Sequence, residues 1–210
     1  MDRTLGRRCL LTLLLTFPLG MALHAPPCAA DTRNVVVQSQ PTDCGPAALA
    51  TLLRFYLETP VDEKEILKLA DYKPESGTTL LGLERAARSK RCEAGSFRMS
   101  YPVLREQLKA YPTPVIVRLL NPEPHFVVLL AIENRTVFLA DPANGNVTMG
   151  RDAFLKRWYA PGDAEGFVFI AARPDRRQDQ KRCEETVASL KQGLRNLAAA
   201  PPPRVLGPGH

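Results

Sequence analysis

Residues 38–49 read QSQPTDCGPAAL and place a cysteine, Cys44, where a helix is about to begin. Asp43 is a residue type favoured just before a helix, Pro46 suits a first helical turn, and residues 47–57 form an apolar helical pattern. A thiol at the start of a helix lies at the positive end of the helix dipole, which favours the nucleophilic thiolate. The sequence therefore predicts a reactive cysteine at position 44.

A cysteine nucleophile needs a base, and the three histidines of the chain leave one choice. His24 lies in an N-terminal leader, and His210 is the last residue. His125 opens the run HFVVLLAI, residues 125–132, which is typical of a strand buried on both faces. Cys44 and His125 are therefore predicted to meet in the fold.

The first thirty residues are predicted to be a secretory signal peptide. Three arginines precede a leucine-rich run over residues 9–23, and residues 28–30 (CAA) offer small side chains at a cleavage point. The apolar run is short for a membrane span. We expect cleavage after Ala30, a mature chain that begins at Asp31, and a bacterial periplasmic location. An uncleaved membrane anchor is the alternative.

The composition excludes some classes of function. The formal net charge of the chain, +6, is small, and its basic residues are scattered along the sequence, so nucleic-acid binding is not indicated. After the leader, three cysteines remain, Cys44, Cys92 and Cys183, and an odd number in an oxidising compartment leaves a free thiol or an intermolecular bridge. Whether Cys92 and Cys183 form a disulfide stays open. One eligible histidine and scattered thiols give no metal-ligand spacing, so no metal or other cofactor is expected.

The remaining patterns predict an α+β fold with helices first and an antiparallel sheet second. Helical spacing occurs over residues 61–70, 79–88, 101–111 and 152–158, and strand patterns over 114–120, 125–132, 137–140 and 166–172. About 180 residues after the leader fit one domain with its own core. We place that domain at residues 31–172.

Residues 173–210 differ in character from the domain. A charged stretch leads into Val187, Leu190, Leu194 and Leu197, which form a narrow apolar stripe at helical spacing, and the chain closes with an Ala- and Pro-rich tail. The stripe predicts a helix packed on the outside of the domain. Docking of a partner protein through this helix is the alternative.

Four features of the sequence occur in an order and at spacings that match a known protein family. Gln38 lies six residues before Cys44, Asp43-Cys44-Gly45 opens an alanine-rich helix, His125 opens an apolar strand, and Asp141-Pro142 follows sixteen residues after His125. In this the chain resembles the bacteriocin-processing peptidase family, papain-like cysteine peptidases that cleave leader peptides after a double glycine. The segment 77–83 and the run from Pro114 also match, so the resemblance covers about residues 35–172.

The resemblance implies a papain-like fold, with N-terminal helices packed against an antiparallel sheet, and a role for each matching residue. Cys44 would be the nucleophile and His125 the general base that later protonates the leaving amine. Asp141 would orient the imidazole. Gln38 would donate its amide, together with the Cys44 backbone N–H, to the oxyanion, with Gln40 as the rival for this role.

The expected function is therefore a cofactor-free, exported cysteine endopeptidase with a peptide or protein substrate and no membrane span after signal cleavage. Familiar members of the family are fused to membrane exporters, whereas this chain carries an export signal, so the substrate and the Gly-Gly preference stay open. Two alternatives remain: a peptide-binding module that does not cut, and a papain-like amidase or acyltransferase. The retained Cys44 favours an enzyme over the binding module.

Overall fold

The computed structural model describes residues 30–173 and 179–199. The strands are β1 (Glu93–Met99), β2 (Val115–Leu119), β3 (His125–Glu133), β4 (Thr136–Asp141), β5 (Gly145–Gly150) and β6 (Gly166–Ala172). The helices are α1 (Cys44–Thr51), α2 (Glu63–Leu69), α3 (Leu80–Ser89), α4 (Tyr101–Ala110), α5 (Arg151–Trp158) and α6 (Asp179–Ala199), and α1 continues into a π-helical turn over Leu52–Tyr56. The predicted leader, apart from Ala30, lies outside the described residues.

The six strands form one antiparallel sheet in the order β1–β6–β2–β3–β4–β5. The predicted α+β layout is confirmed, and the predicted helices and strands of the domain lie within about three residues of their expected bounds. Two strands were not predicted, β1 and β5, and they are the two outermost strands of the sheet.

Both faces of the sheet are buried because helices cover each of them. On one face of the sheet, side chains of α1, α2, α3 and α6 form a hydrophobic core that we call the α1 core. On the other face, side chains of α4 and α5 form a second core. In β3, Phe126 and Val128 belong to the α1 core, whereas Val127 and Leu129 belong to the second core. This alternation explains why residues 125–132 are apolar at almost every position.

Helix α6 packs on the domain through its apolar stripe. Val187, Leu190 and Leu194 are buried and join the α1 core, while the side chain of Leu197 lies outside the described part of the chain. At the end of β3, Glu133 binds Lys191 of this helix, with 2.7 Å between Oε1 and Nζ. These three side chains are therefore covered by the domain, and a partner could dock on them only after α6 had left it. No helix in the described ranges is long and apolar enough to cross a membrane.

Candidate active site

Cys44 is the first residue of α1, and its side chain is buried at the point where the helix meets the sheet. The next residue, Gly45, makes this close approach possible. A Cβ atom on Gly45 would lie 2.5 Å from Thr78 Cγ2 and 3.1 Å from Phe126 Cδ2. The start of α1 is therefore held between the segment that precedes α3 and the first residues of β3, which brings Cys44 next to His125.

His125 and Asp141 meet at one end of the sheet because β3 begins where its antiparallel neighbour β4 ends. The His125 Nε2 atom lies 2.7 Å from Asp141 Oδ1. Asp141 is held in place by its own turn, since Oδ1 accepts the Ala143 N–H at 2.8 Å and Oδ2 accepts the Asn144 amide at 2.9 Å. The Asp-Pro-Ala-Asn-Gly sequence thus makes an ordinary turn and also presents a carboxylate to the imidazole.

The environment favours the charged form of His125. Burial alone lowers the pKa of the imidazole, but hydrogen bonds to Asp141 and Cys44, and the charges of both groups, raise that pKa to about 9. Burial raises the pKa of Asp141, yet the bonds from His125 and Asn144 outweigh it and hold the pKa of the carboxyl below its usual value. Because Nε2 is bound to Asp141, Nδ1 is the ring nitrogen left for Cys44.

Gln38 lies in the segment that leads into α1, and its backbone N–H donates to the carbonyl oxygen of Pro142, the residue after Asp141, at 2.9 Å. The Gln38 side chain is half-buried, and Nε2 donates to the Gln40 carbonyl oxygen at 2.8 Å, which uses one of the two amide hydrogens. Gln40 is exposed and contributes its backbone groups to this segment. The Cys44 N–H lies in the first turn of α1, where backbone N–H groups have no acceptor within the helix.

Sequence reasoning treated Asp43 only as a helix-start residue, and the structure shows a different arrangement. Asp43 precedes α1, but its carboxylate accepts no hydrogen bond from that helix. Instead Oδ2 accepts the Ser39 N–H at 3.1 Å, the Ser39 hydroxyl at 2.8 Å and the Gln40 N–H at 2.9 Å. The side chain is wholly buried. The Ser-x-x-x-Asp spacing was the available signal, because short polar side chains often bind nearby backbone groups.

The other two cysteines contribute nothing that can be assigned to this site. Cys92 lies just before β1 and is buried in the α1 core. The side chain of Cys183 lies outside the described part of the chain, so a bridge between them stays untested. Within the described ranges, no group of three or more His, Cys, Asp and Glu side chains could hold a metal ion.

Comparisons with known proteins place this arrangement in a family. A family model described as the Peptidase C39 family matches residues 32–160. An uncharacterized protein of Methanothermobacter marburgensis is 42% identical over 122 residues, which cover 58% of this chain and 80% of that protein. The probable functional amyloid protease FapD of Pseudomonas fluorescens is 32% identical over 132 residues, which cover 60% of this chain and 57% of FapD.

A solved structure shows the same fold. The double glycine motif protease from an AMS/PCAT transporter, in complex with the leader peptide, superposes with a TM-score of 0.54 at 25% identity, covering 65% of this chain and 89% of that one. The predicted papain-like fold is confirmed by this likeness, and the family match spans Gln38, Cys44, His125 and Asp141. The chain belongs to the Peptidase C39 family of cysteine peptidases.

Proposed function

We propose that this protein is an exported cysteine endopeptidase that cleaves a peptide or protein substrate with Cys44, His125, Asp141 and Gln38. The observation that carries the proposal is the contact of 2.7 Å between His125 Nε2 and Asp141 Oδ1, with Cys44 on the same imidazole. A nucleophile, a base and a group that orients the base form the arrangement that covalent catalysis by cysteine requires.

The first half of the reaction forms a thioester. Cys44 Sγ attacks the carbonyl carbon of the scissile bond, and the electron pair moves to the carbonyl oxygen. The Cys44 N–H and the free amide hydrogen of Gln38 donate to this oxyanion. His125, protonated at neutral pH because its pKa is about 9, gives its proton to the leaving amine as the C–N bond breaks.

The second half releases the product. His125 is now neutral and takes a proton from water, which attacks the thioester carbonyl. The C–S bond breaks and its electron pair returns to Cys44 Sγ, the product leaves as a carboxylic acid that gives its proton to solvent, and His125 keeps the proton that it took from water. Asp141 keeps the ring in one orientation through both halves, because its Oδ1 stays bound to Nε2.

The proposed substrate class rests on the names of similar proteins rather than on a visible pocket. The superposed protease is named for its double glycine motif and holds a leader peptide, which supports cleavage after Gly-Gly in this chain too. FapD is named as a probable functional amyloid protease, which supports a protein substrate outside bacteriocin processing. We propose a glycine-rich junction in an exported peptide or protein as the cleavage site.

A thiol-directed peptide tests the assignment. A peptide chloromethyl ketone that ends in Gly-Gly should alkylate the mature protein at Cys44, which lies beside His125, and spare Cys92, which lies in the hydrophobic core, as mapped by mass spectrometry. Cys44→Ala should abolish the labelling, and His125→Ala should slow it strongly. Labelling without hydrolysis of the matching peptide amide would favour an amidase or acyltransferase. Absence of labelling would favour a peptide-binding module and contradict the proposal.

The proposed location is periplasmic, and it has a separate test. The protein recovered from a periplasmic fraction should begin at Asp31, as read by mass mapping of its N-terminus. An intact Met1 would indicate an anchored protein and would contradict signal cleavage.

A further inference from the structure

The carboxylate of Asp43 is buried, yet it is not used to cap the helix that follows it. Its exposed fraction is 0%, and one oxygen, Oδ2, accepts three hydrogen bonds from Ser39 and Gln40. A buried carboxylate is costly unless hydrogen bonds stabilise its charge. This carboxylate therefore holds the backbone of residues 39–40 in one conformation.

That conformation sets the position of the Gln38 amide. The N–H of Gln40 binds Asp43 Oδ2 at 2.9 Å, and the carbonyl oxygen of the same residue accepts Gln38 Nε2 at 2.8 Å. The path from Asp43 to Gln38 thus passes through a single residue. If the carboxylate is removed, Gln40 loses its anchor and the Gln38 amide loses its fixed acceptor.

Asp43 also determines the direction of the second oxyanion donor. The Cys44 N–H belongs to the peptide group that joins Asp43 to Cys44, and the orientation of this group depends on the Asp43 backbone, with φ −95° and ψ 15°. The three bonds at Oδ2 fix that backbone against the preceding loop. One residue therefore controls both groups that would bind the oxyanion.

We propose that Asp43 is the positioning residue of the oxyanion site, acting on Gln38 through Gln40 and on the Cys44 N–H through its own backbone. The inference rests on the proposed function, because it assigns Asp43 a role only in reactions that pass through an oxyanion. It predicts that loss of the carboxylate impairs acyl transfer and leaves the nucleophilicity of Cys44 intact.

Two small probes separate these effects without knowledge of the substrate. Iodoacetamide is attacked by Cys44 Sγ at a saturated carbon and loses iodide, so no oxyanion forms. With p-nitrophenyl acetate, Sγ attacks a carbonyl carbon, an oxyanion develops, and p-nitrophenolate leaves. The measurement is the rate of each reaction at Cys44 in the full mature protein, with thermal melting of every variant.

Asp43→Ser is the main variant, because serine is favoured at a helix start but is too short to make all three bonds to Ser39 and Gln40. We expect its alkylation rate to stay within about threefold of wild type, while nitrophenolate release falls about tenfold to a hundredfold. Asp43→Asn should restore most of the release, since the amide oxygen has two lone pairs and can accept the backbone N–H groups of Ser39 and Gln40. Asp43→Ser should slow Gln38→Ala by a smaller factor than it slows wild type, because the part of its effect that passes through Gln38 is already lost and only the part that passes through the Cys44 N–H remains.

Asp62→Ala is the matched control. Asp62 caps α2 by accepting the Glu65 N–H at 2.7 Å, so its loss weakens a helix end but removes none of the three hydrogen bonds at Asp43 Oδ2. Its two rates should match wild type. If Asp43→Ser slows both probes equally, slows neither, or is not rescued by Asp43→Asn, the inference is wrong while the proposed function stands. If wild-type Cys44 reacts with neither probe, the proposed function fails as well.

Discussion

The backbone N–H of Gln38 donates to the carbonyl oxygen of Pro142 at 2.9 Å. Pro142 directly follows Asp141, so this bond ties the segment that carries the proposed oxyanion donor to the turn that carries the proposed triad carboxylate. Nearby, the Asn146 side chain donates to the Arg33 carbonyl oxygen at 2.8 Å. The segment before α1 and the β4–β5 turn therefore form one unit, and a disturbance of either should reach the other.

The first prediction separates Gln38 from Gln40. Gln38→Ala should lower nitrophenolate release at Cys44 by about a hundredfold to a thousandfold, because one oxyanion donor is lost. Gln40→Ala should change it little, since Gln40 contributes backbone groups that alanine retains. Equal losses in the two variants, or a larger loss at Gln40, would refute the assignment of Gln38.

The second prediction concerns Asp141 and the pH dependence of activity. Hydrolysis of a Gly-Gly peptide amide should decline as the pH rises through about 9, because His125 then loses the proton that it gives to the leaving amine. Asp141→Asn removes a charge and alters the bond that raises this pKa. The alkaline decline should therefore move to lower pH, and turnover should fall by about a hundredfold or more. If the activity of the variant declines at the same alkaline pH as that of wild type, Asp141 does not raise the pKa of His125.

The same pair also predicts how stability depends on pH. Since the folded pKa of His125 exceeds the unfolded value of 6.5, its stabilising contribution is complete below pH 6.5 and is lost as the pH rises to about 9. The wild-type melting temperature should fall across this window. The fall in melting temperature should be smaller in Asp141→Asn. Equal slopes of melting temperature against pH in the two proteins would contradict this prediction.

A third prediction tests the packing at the start of α1. Gly45→Ala places a Cβ 2.5 Å from Thr78 Cγ2, so we expect a loss of about 1–3 kcal/mol in the free energy of unfolding. Adding Thr78→Ser removes that methyl group and should recover much of the loss. Gly150→Ala is the control, because a Cβ there meets nothing within 4 Å. Denaturant unfolding gives all four values, and a neutral Gly45→Ala would show that the contact is not tight.

The fourth prediction concerns Glu63, whose pKa is raised by burial and by the charge of Asp43. A raised pKa stabilises the fold below the ordinary carboxyl value of 4.5, and this contribution is lost as the pH rises through the folded value. Glu63→Gln should remove that loss and melt above wild type at pH 7, with the difference shrinking towards pH 4. Glu65→Gln, which breaks an ion pair with Lys90, should not gain stability. If the melting temperature of Glu63→Gln at pH 7 does not exceed that of wild type, the pKa of Glu63 is not raised.

The fifth prediction is that a chain ending at Arg173 still folds and still reacts at Cys44. It should melt at a lower temperature, because Val187, Leu190 and Leu194 no longer cover the α1 core. The full chain with Lys191→Ala and Arg195→Ala should lose much less, since ion pairs near the protein surface contribute little. An unfolded or unreactive truncated chain would place α6 within the catalytic domain and move the predicted boundary.

Sequence patterns predicted the elements that combine strong periodicity with burial, such as α1 and β3. They missed β1 and β5 because outer strands need not be apolar on both faces. β1 reads EAGSFRM and is mostly half-buried or exposed, whereas β5 begins inside the turn that follows Asp141. Glycine and charged residues have weak strand propensity, so pairing with an inner strand decides these segments.

The candidate site likewise has a part that the sequence predicted and a part that it did not. Residue types and order predicted that Cys44, His125 and Asp141 would come together. The structure places His125 Nε2 2.7 Å from Asp141 Oδ1, and the triad itself stays a prediction. The hydrogen bonds of the Asp43 carboxylate were not predicted, because an aspartate before a helix usually caps it and the Ser-x-x-x-Asp spacing is a weak signal beside that preference. Only the backbone path of residues 38–43 shows that this carboxylate turns back to Ser39 and Gln40.

The distance along the chain between the partners of this site has a consequence for folding. The Asn146–Arg33 bond joins residues 113 positions apart, and α1 meets β3 only after the intervening segments have closed. Contacts of such long range form late. A cysteine in an unfolded chain is mostly protonated at neutral pH and has no base beside it. Under the proposed function, the thiol of a newly made chain is therefore not yet activated as a nucleophile, and proteolysis begins only once folding is complete.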